Sequence, residues 1–388
     1  MSQFFCTSLW FAGNSVLENL IVNFQLSEGD IGNLSAAVQF GFIIGTLVYA
    51  LLTIADRFSP SKVFFFSAIL ASSINLITLF PENTITTLLL IRFLTGFFLA
   101  GIYPVGMKIA ADYYDSSLGK SLGFLVGALV LGTALPHFLQ FTFVSFSWKW
   151  VIICTSILAS LGGVLVYILI PDGPFRKKGK PLKVNVLFKV FKNKKFKIAA
   201  IGYFGHMWEL YAFWFFIPII IETYNYINFK EQPLSTSFWS FTVIAIGSVG
   251  CVVFGKLSSR FSTKKLATIA LLTSTTCCLL SSVVFNLPKE LFLIFLLIWG
   301  FFVIADSPLF STLIAKNASQ EVRGSALTIV NCIGFAITII SIQLLTHFLN
   351  QGFFMEKIAG TVYLIPTHLY SFLAVGPIIG LFYLFRNK

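Results

Sequence analysis

Twelve apolar runs, each set off from the next by polar residues, divide the chain. They fall at about 3–24, 33–54, 63–80, 86–110, 118–139, 148–170, 198–221, 236–257, 266–286, 290–315, 324–348 and 363–385. A helix that crosses a bilayer needs about 20 mostly apolar residues. The pattern therefore predicts an all-α membrane protein with twelve transmembrane helices, numbered spans 1 to 12 below. Most connections are short, so neighbouring spans run antiparallel. The polar stretch 171–197 is the exception, and it separates an N-terminal six-helix bundle, 1–170, from a C-terminal one, 198–388. Within that stretch Val184, Leu187, Phe188 and Phe191 recur at helical spacing among lysines. Such a segment predicts an amphipathic helix lying on the inner leaflet. The first run starts almost at Met1 without a basic leader, and reads as span 1 rather than a signal peptide.

Composition narrows the class. Of 388 residues 57% are hydrophobic and 11% charged, against about a quarter charged in a soluble domain. A net charge of +12 raises nucleic acid as a partner, and the placement of the charges removes it. Of the 27 Lys and Arg residues, 22 fall on the face that holds both termini, ten of them within 171–197. Only Lys149, Lys230, Lys289 and Lys357 fall on the opposite face, and Arg92 lies inside span 4. This asymmetry follows the positive-inside rule and predicts cytoplasmic termini in a bacterial inner membrane. The six cysteines sit in apolar stretches without CxxC spacing, and read as small packing residues. No phosphate-cradling loop, HExxH metal pair or GxSxG nucleophile is present, so the sequence predicts neither an enzyme nor a cofactor or metal site.

The halves resemble each other. Arg57-Phe58-Ser59 and Lys62 after span 2 match Arg260-Phe261-Ser262 and Lys265 after span 8, 203 residues on. Gly96-Phe97-Phe98 with Pro104 in span 4 matches Gly300-Phe301-Phe302 with Pro308 in span 10, 204 residues on. Two matches at nearly one offset point to a duplicated six-helix unit, a plan common among secondary transporters. On these residues the chain resembles the major facilitator superfamily over its whole length. The family's loop after span 2 runs G-x-L-a-D-r-x-G-r-k; Asp56 and Arg57 match it here, while both glycines are replaced. The second copy keeps Gly255, Leu257 and Arg260 but has Ser259 in place of the carboxylate. Arg92 followed by Gly96 matches the family's span 4. The strings around His206–Tyr211 and Tyr103–Lys108 are similar to a bacterial branch grouped loosely with nitrate and cyanate transporters. The resemblance implies that spans 1, 4, 7 and 10 line a central cavity, and that spans 2, 5, 8 and 11 form the moving interface. Glycines Gly41 and Gly45 in span 2, Gly119, Gly123 and Gly127 in span 5, and Gly247 and Gly250 in span 8 fit close helix approach there.

Ionisable residues within spans are costly and default to functional candidates. Glu18 is in span 1, Arg92 in span 4, Glu209 in span 7 and Asp306 in span 10, all on spans implied to line the cavity. Glu18 and Arg92 are expected to form an ion pair, serving transport or structure. Glu209 and Asp306 lack a basic residue at similar depth and are expected to carry a coupling ion. His206 shares a helix face with Glu209 and is either a ligand or a packing histidine. Asn14 in span 1 and Asn331 in span 11 offer neutral polar contacts. Asp56, Arg57, Lys108 and Asp112, at the ends of spans 2 and 4, are implied to form an inner gate of ion pairs.

The resulting expectation is a secondary transporter that moves a small polar or organic solute by alternating access, coupled to an ion, most naturally H+. Its partners would be that solute, the coupling ion and the lipid bilayer, with the protein a monomer. Efflux of a drug or metabolite is the alternative within transport, although span 5 does not match the family's G-x-x-x-G-P-x-x-G-G antiporter motif. A membrane receptor on the same fold is the alternative outside it. Nitrate carriers of the family use arginines in spans 2 and 8, and neither span has one here.

Overall fold

The computed structural model describes residues 1–27, 30–113, 118–143, 147–176, 190–228, 233–318, 323–351, 357–358, 361–362 and 368–386. Among the described residues, ten helices are long and apolar enough to cross a membrane, and shorter or broken helices lie in the other two apolar stretches. Span 9, Thr263–Leu280, misses that criterion through Lys264, Lys265 and a run of Thr and Ser. Span 1 misses it because it is broken into Ser2–Thr7, Ala12–Ser15 and Leu17–Phe24. The break follows from hydroxyls that compete with the backbone. Thr7 Oγ1 donates to the Gln3 carbonyl at 2.8 Å and Ser8 Oγ to that of Phe5 at 2.7 Å, offering carbonyls a partner other than the next turn's amide.

Spans 4 and 10 break at matching places. Span 4 is Ile85–Leu99 followed by Tyr103–Tyr113, and span 10 is Lys289–Ala305 followed by Ser307–Asn317. Each second segment has a proline, Pro104 or Pro308, as its second residue. Proline has no amide to give the preceding turn, so the helix restarts there. The remaining spans are Asp30–Leu51, Pro60–Leu76, Leu118–Thr142, Lys149–Leu169, Lys194–Asn228, Thr236–Leu257, Arg323–Asn350 and, for span 12, Leu369–Ala374 continuing as Val375–Arg386. One departure from all-α structure is a minimal hairpin before span 12, where Lys357 pairs with Val362 and Ile358 with Thr361. The expected amphipathic helix rests on Val184, Leu187 and Phe188, which lie outside the described residues; Phe191 packs its ring on Phe196 of span 7.

The two bundles meet along spans 5 and 8 and along spans 2 and 11. Gly123 and Gly127 of span 5 lie against the carbonyls of Cys251 and Ser248 of span 8. Further along, Phe138 faces Phe241 and Phe141 faces Phe238. On the other seam Asn33 accepts from Gln343 Nε2 at 3.1 Å, and Thr338 donates to Gln39. The glycines of spans 2 and 8 serve a different contact from the one expected. A Cβ on Gly41 would stand 1.9 Å from the Phe93 carbonyl oxygen, and one on Gly250 would stand 2.3 Å from that of Phe301. They bring span 2 onto span 4 and span 8 onto span 10, inside each bundle, although Gly32 of span 2 also lies against Thr346 of span 11 and Gly247 of span 8 against Val130 of span 5.

Candidate functional site

At the centre of the interface the halves meet through rings. Trp10 and Phe11 come from the break in span 1, Phe42 from span 2, Tyr211 and Trp214 from span 7 and Phe335 from span 11. Trp10 lies 4.9 Å from Phe42, 5.6 Å from Tyr211 and 5.4 Å from Phe335, centroid to centroid. Tyr211 lies 5.2 Å from both Phe335 and Trp214. All six rings are buried. The indole N–H groups of Trp10 and Trp214 are buried without a hydrogen-bond partner among the described residues, although a buried donor ordinarily has one. Sequence reading did not single out this cluster. Aromatic residues on two spans assigned to a cavity were the available signal, muted by the chain's 45 phenylalanines.

Beside the rings lies Arg92, 4% exposed. Its Nη1 donates to the Leu9 carbonyl at 3.2 Å, and its Nη2 to the Trp10 carbonyl and to Asn14 Oδ1, the latter at 3.3 Å. These are carbonyls freed by the break in span 1. The guanidinium lies over Gly13, where a Cβ would be 3.3 Å from Nε, and borders a small cleft lined also by Asn14, Leu17, Asn75 and Leu88. The expected pair with Glu18 does not form. Glu18 is on an exposed face of Leu17–Phe24 and meets Glu222 of span 7 within hydrogen-bonding reach. The span 1 break turns the two residues apart, and carbonyl oxygens take the place of the carboxylate at Arg92.

The C-terminal bundle holds its charged residues in two settings. Asp306 sits at the break in span 10, and its Oδ1 is 2.7 Å from His206 Nδ1, each side chain 1% exposed. The expectation that Asp306 lacks a basic partner at its depth is thus corrected: the break points the carboxyl at span 7, where His206 is waiting. His206 Nε2 has no partner among the described residues. Tyr203, one turn earlier on span 7, packs near the imidazole. Glu209, one turn on, turns away into its own bundle. Its Oε1 accepts from Trp299 Nε1 at 2.7 Å and Cys278 Sγ at 3.2 Å, and its Oε2 from Ser274 Oγ at 2.9 Å. Asn331 is half-buried on span 11, beside Cys332, whose Sγ lies 3.9 Å from the Ile43 carbonyl of span 2.

Three of the four expected gate residues come together. Lys108 Nζ is 2.8 Å from Asp56 and 3.8 Å from Asp112. Arg57 stays apart, donating from Nε to Thr53 Oγ1 at 3.1 Å. The cluster lies within the N-terminal bundle. It is clasped by Arg176, which donates to the Asp56 and Phe58 carbonyls and pairs with Asp172, itself the acceptor of Ser59 Oγ at 2.6 Å. Asp112 lies just beyond the apolar stretch. Burial pushes its carboxyl above the ordinary aspartate range, while Lys108 and Arg176 pull it back. Among the described residues no group of His, Cys, Asp and Glu side chains converges in a way that could hold a metal ion.

A profile of the family described as Major Facilitator Superfamily matches residues 1–342. Among curated proteins, the chain is 23% identical over 280 residues to an uncharacterized transporter, C1002.16c, of Schizosaccharomyces pombe, covering 64% of this chain and 54% of that protein. It is 26% identical over 169 residues to the niacin transporter NiaP of Acinetobacter baylyi, covering 41% of this chain and 35% of that one. The matched regions thus span about half and about a third of the two relatives. Among solved structures, the proton:xylose symporter XylE bound to 6-bromo-6-deoxy-D-glucose superposes with a TM-score of 0.72 over 99% of this chain and 94% of that one, at 14% identity. That likeness is one of fold.

Proposed function

The chain belongs to the major facilitator superfamily, and from that membership we propose that it is a secondary active transporter moving a small organic solute by alternating access, coupled to protons. It is an integral, multi-pass membrane protein of a transporter family and not an enzyme. The proposed setting is a bacterial cytoplasmic membrane with both termini inside, on the charge asymmetry of the loops. A niacin transporter and a proton:xylose symporter among the similar proteins support an organic solute and a proton as the pair to test.

The observation that carries the proton is the His206–Asp306 pair, 2.7 Å apart and buried at the break of span 10. Holding one proton between them, imidazole and carboxyl are neutral as a pair. Losing it leaves one negative charge on the pair. The proton is exchanged when water reaches the site from either side. Glu209, with three neutral donors of its own, holds spans 7, 9 and 10 together around that pair.

The test begins with thermal stabilisation of the purified protein across a library of small acids, amino acids, sugars and drugs, because a ligand of the folded state raises its apparent stability. The solute found is then followed in proteoliposomes. Asp306→Asn is expected to abolish accumulation driven by a pH gradient and to leave counterflow exchange largely intact. Gradient-driven accumulation by Asp306→Asn would remove the proton from this pair.

A further inference from the structure

Once each charged side chain of the interior has been given its partner, one is left over. Asp306 has His206, Glu209 has three neutral donors, and Glu18 meets Glu222 on the exposed flank. Arg92 is buried, and its described contacts are two carbonyls and an amide oxygen, with no carboxylate among the described residues. A buried cation without a counter-ion is expensive. The other unsatisfied groups nearby have the same polarity. Trp10, whose carbonyl Arg92 holds, sends its ring into the central cluster with its N–H unpartnered, and Trp214 does likewise from the opposite half. Both orphans on the ring cluster are donors, and the walls are flat rings.

We propose that Arg92 and Asn14, at the break in span 1, seat the negative charge of a flat organic monoanion whose ring enters the cluster of Trp10, Tyr211, Trp214 and Phe335. This rests on the transport reading above and names the substrate class for it. A single guanidinium matches one carboxylate, through charge-assisted hydrogen bonds. Rings receive rings by offset or edge contact, and the indole N–H groups supply donors to acceptor atoms on the solute. A sugar's hydroxyls would accept from the indole N–H groups but bring no charge to pair with Arg92. An organic cation would meet an uncompensated Arg92.

The same assignment accounts for coupling. An anion at Arg92 and a proton on the His206–Asp306 pair, entering together, leave the charge of the interior unchanged from the empty, deprotonated state. Anion alone or proton alone changes that charge by one unit. Glu209 and the Glu18–Glu222 contact enter all four states equally. One proton therefore accompanies each monoanion, and transport moves no net charge.

The experiment uses the full-length protein in detergent and in proteoliposomes. Benzoate, 4-hydroxybenzoate and a pyridine carboxylate are each titrated beside their uncharged amides, read by tryptophan fluorescence and thermal shift. At least one acid is expected to bind tenfold or more tightly than its amide. Arg92→Gln should erase that preference, and Arg92→Lys should keep part of it. Asn14→Ala, a milder change, should weaken the acid and spare the amide. In liposomes the bound acid should accumulate with a pH gradient and ignore an imposed membrane potential. If no acid exceeds its amide in the wild type, or the preference survives Arg92→Gln, the seat is not at Arg92. The acid–amide comparison in the wild type stands even if Arg92→Gln does not fold. A sugar or cation that accumulates in a pH gradient would overturn the anion seat and leave the transport reading standing. An acid that binds but never crosses would do the opposite.

Discussion

Glu209 and His206 sit one turn apart on span 7, yet their neighbours put them to different uses. His206 faces Asp306 at the break of span 10, and Glu209 faces Trp299, Ser274 and Cys278. Removing a carboxylate that serves three buried donors leaves each unsatisfied, at about 1–3 kcal/mol per buried group. Glu209→Ala should therefore lower the melting temperature markedly, whereas Glu209→Gln, which keeps an acceptor oxygen for Trp299, should lower it little and retain gradient-driven accumulation. Loss of accumulation in Glu209→Gln at unchanged stability would make Glu209 a second proton carrier. The charged candidates were legible in the sequence because a charge inside an apolar run stands out. Their partners were not. Trp299, Ser274 and Cys278 are ordinary residues of apolar runs, and only packing reveals which face each presents. The Glu18–Arg92 pairing failed for a related reason: depth along the membrane was readable, while the turn introduced by the break in span 1 was not.

At the scale of elements, the duplicated unit shows itself in structure as well as in sequence. The breaks of spans 4 and 10 fall just before Pro104 and Pro308, and Gly96 and Gly300 occupy equivalent close contacts. A Cβ on Gly96 would stand 1.9 Å from the Val38 carbonyl oxygen, and one on Gly300 would stand 2.1 Å from that of Val243. Those neighbours are backbone and yield only if the helices separate. Gly96→Ala should cost roughly 1–3 kcal/mol, the usual range for overpacking, read as a fall in melting temperature of the purified protein. Gly324, with nothing within 4 Å of its Cβ position, provides the control, and Gly324→Ala should be near neutral. Equal effects would mean that spans 2 and 4 have slack between them. The matched glycines and prolines were visible in the sequence. The contact they serve was not, because a small residue marks a close approach without naming the helix that approaches.

For the whole molecule, the order of helices and the membrane setting were legible from the pattern of apolar runs alone, since burial in lipid imposes length and composition on every span. The arrangement of the closed interior was beyond the sequence, because it depends on rings brought from spans 1, 2, 7 and 11 to one place. Orientation makes a prediction at this scale. A reporter active only outside the cytoplasm should be active when fused after Pro233 and silent when fused after Lys180. The reverse pattern would overturn the charge count.

The central claim, that a solute and a proton cross together through the His206–Asp306 site, is met most directly by recording pH inside proteoliposomes. The solute that stabilises the purified protein is added outside, with no gradient imposed. The account predicts an immediate change of internal pH in step with solute entry, absent from Asp306→Asn while that variant still exchanges labelled solute. A flat pH trace in the wild type while solute enters would contradict it.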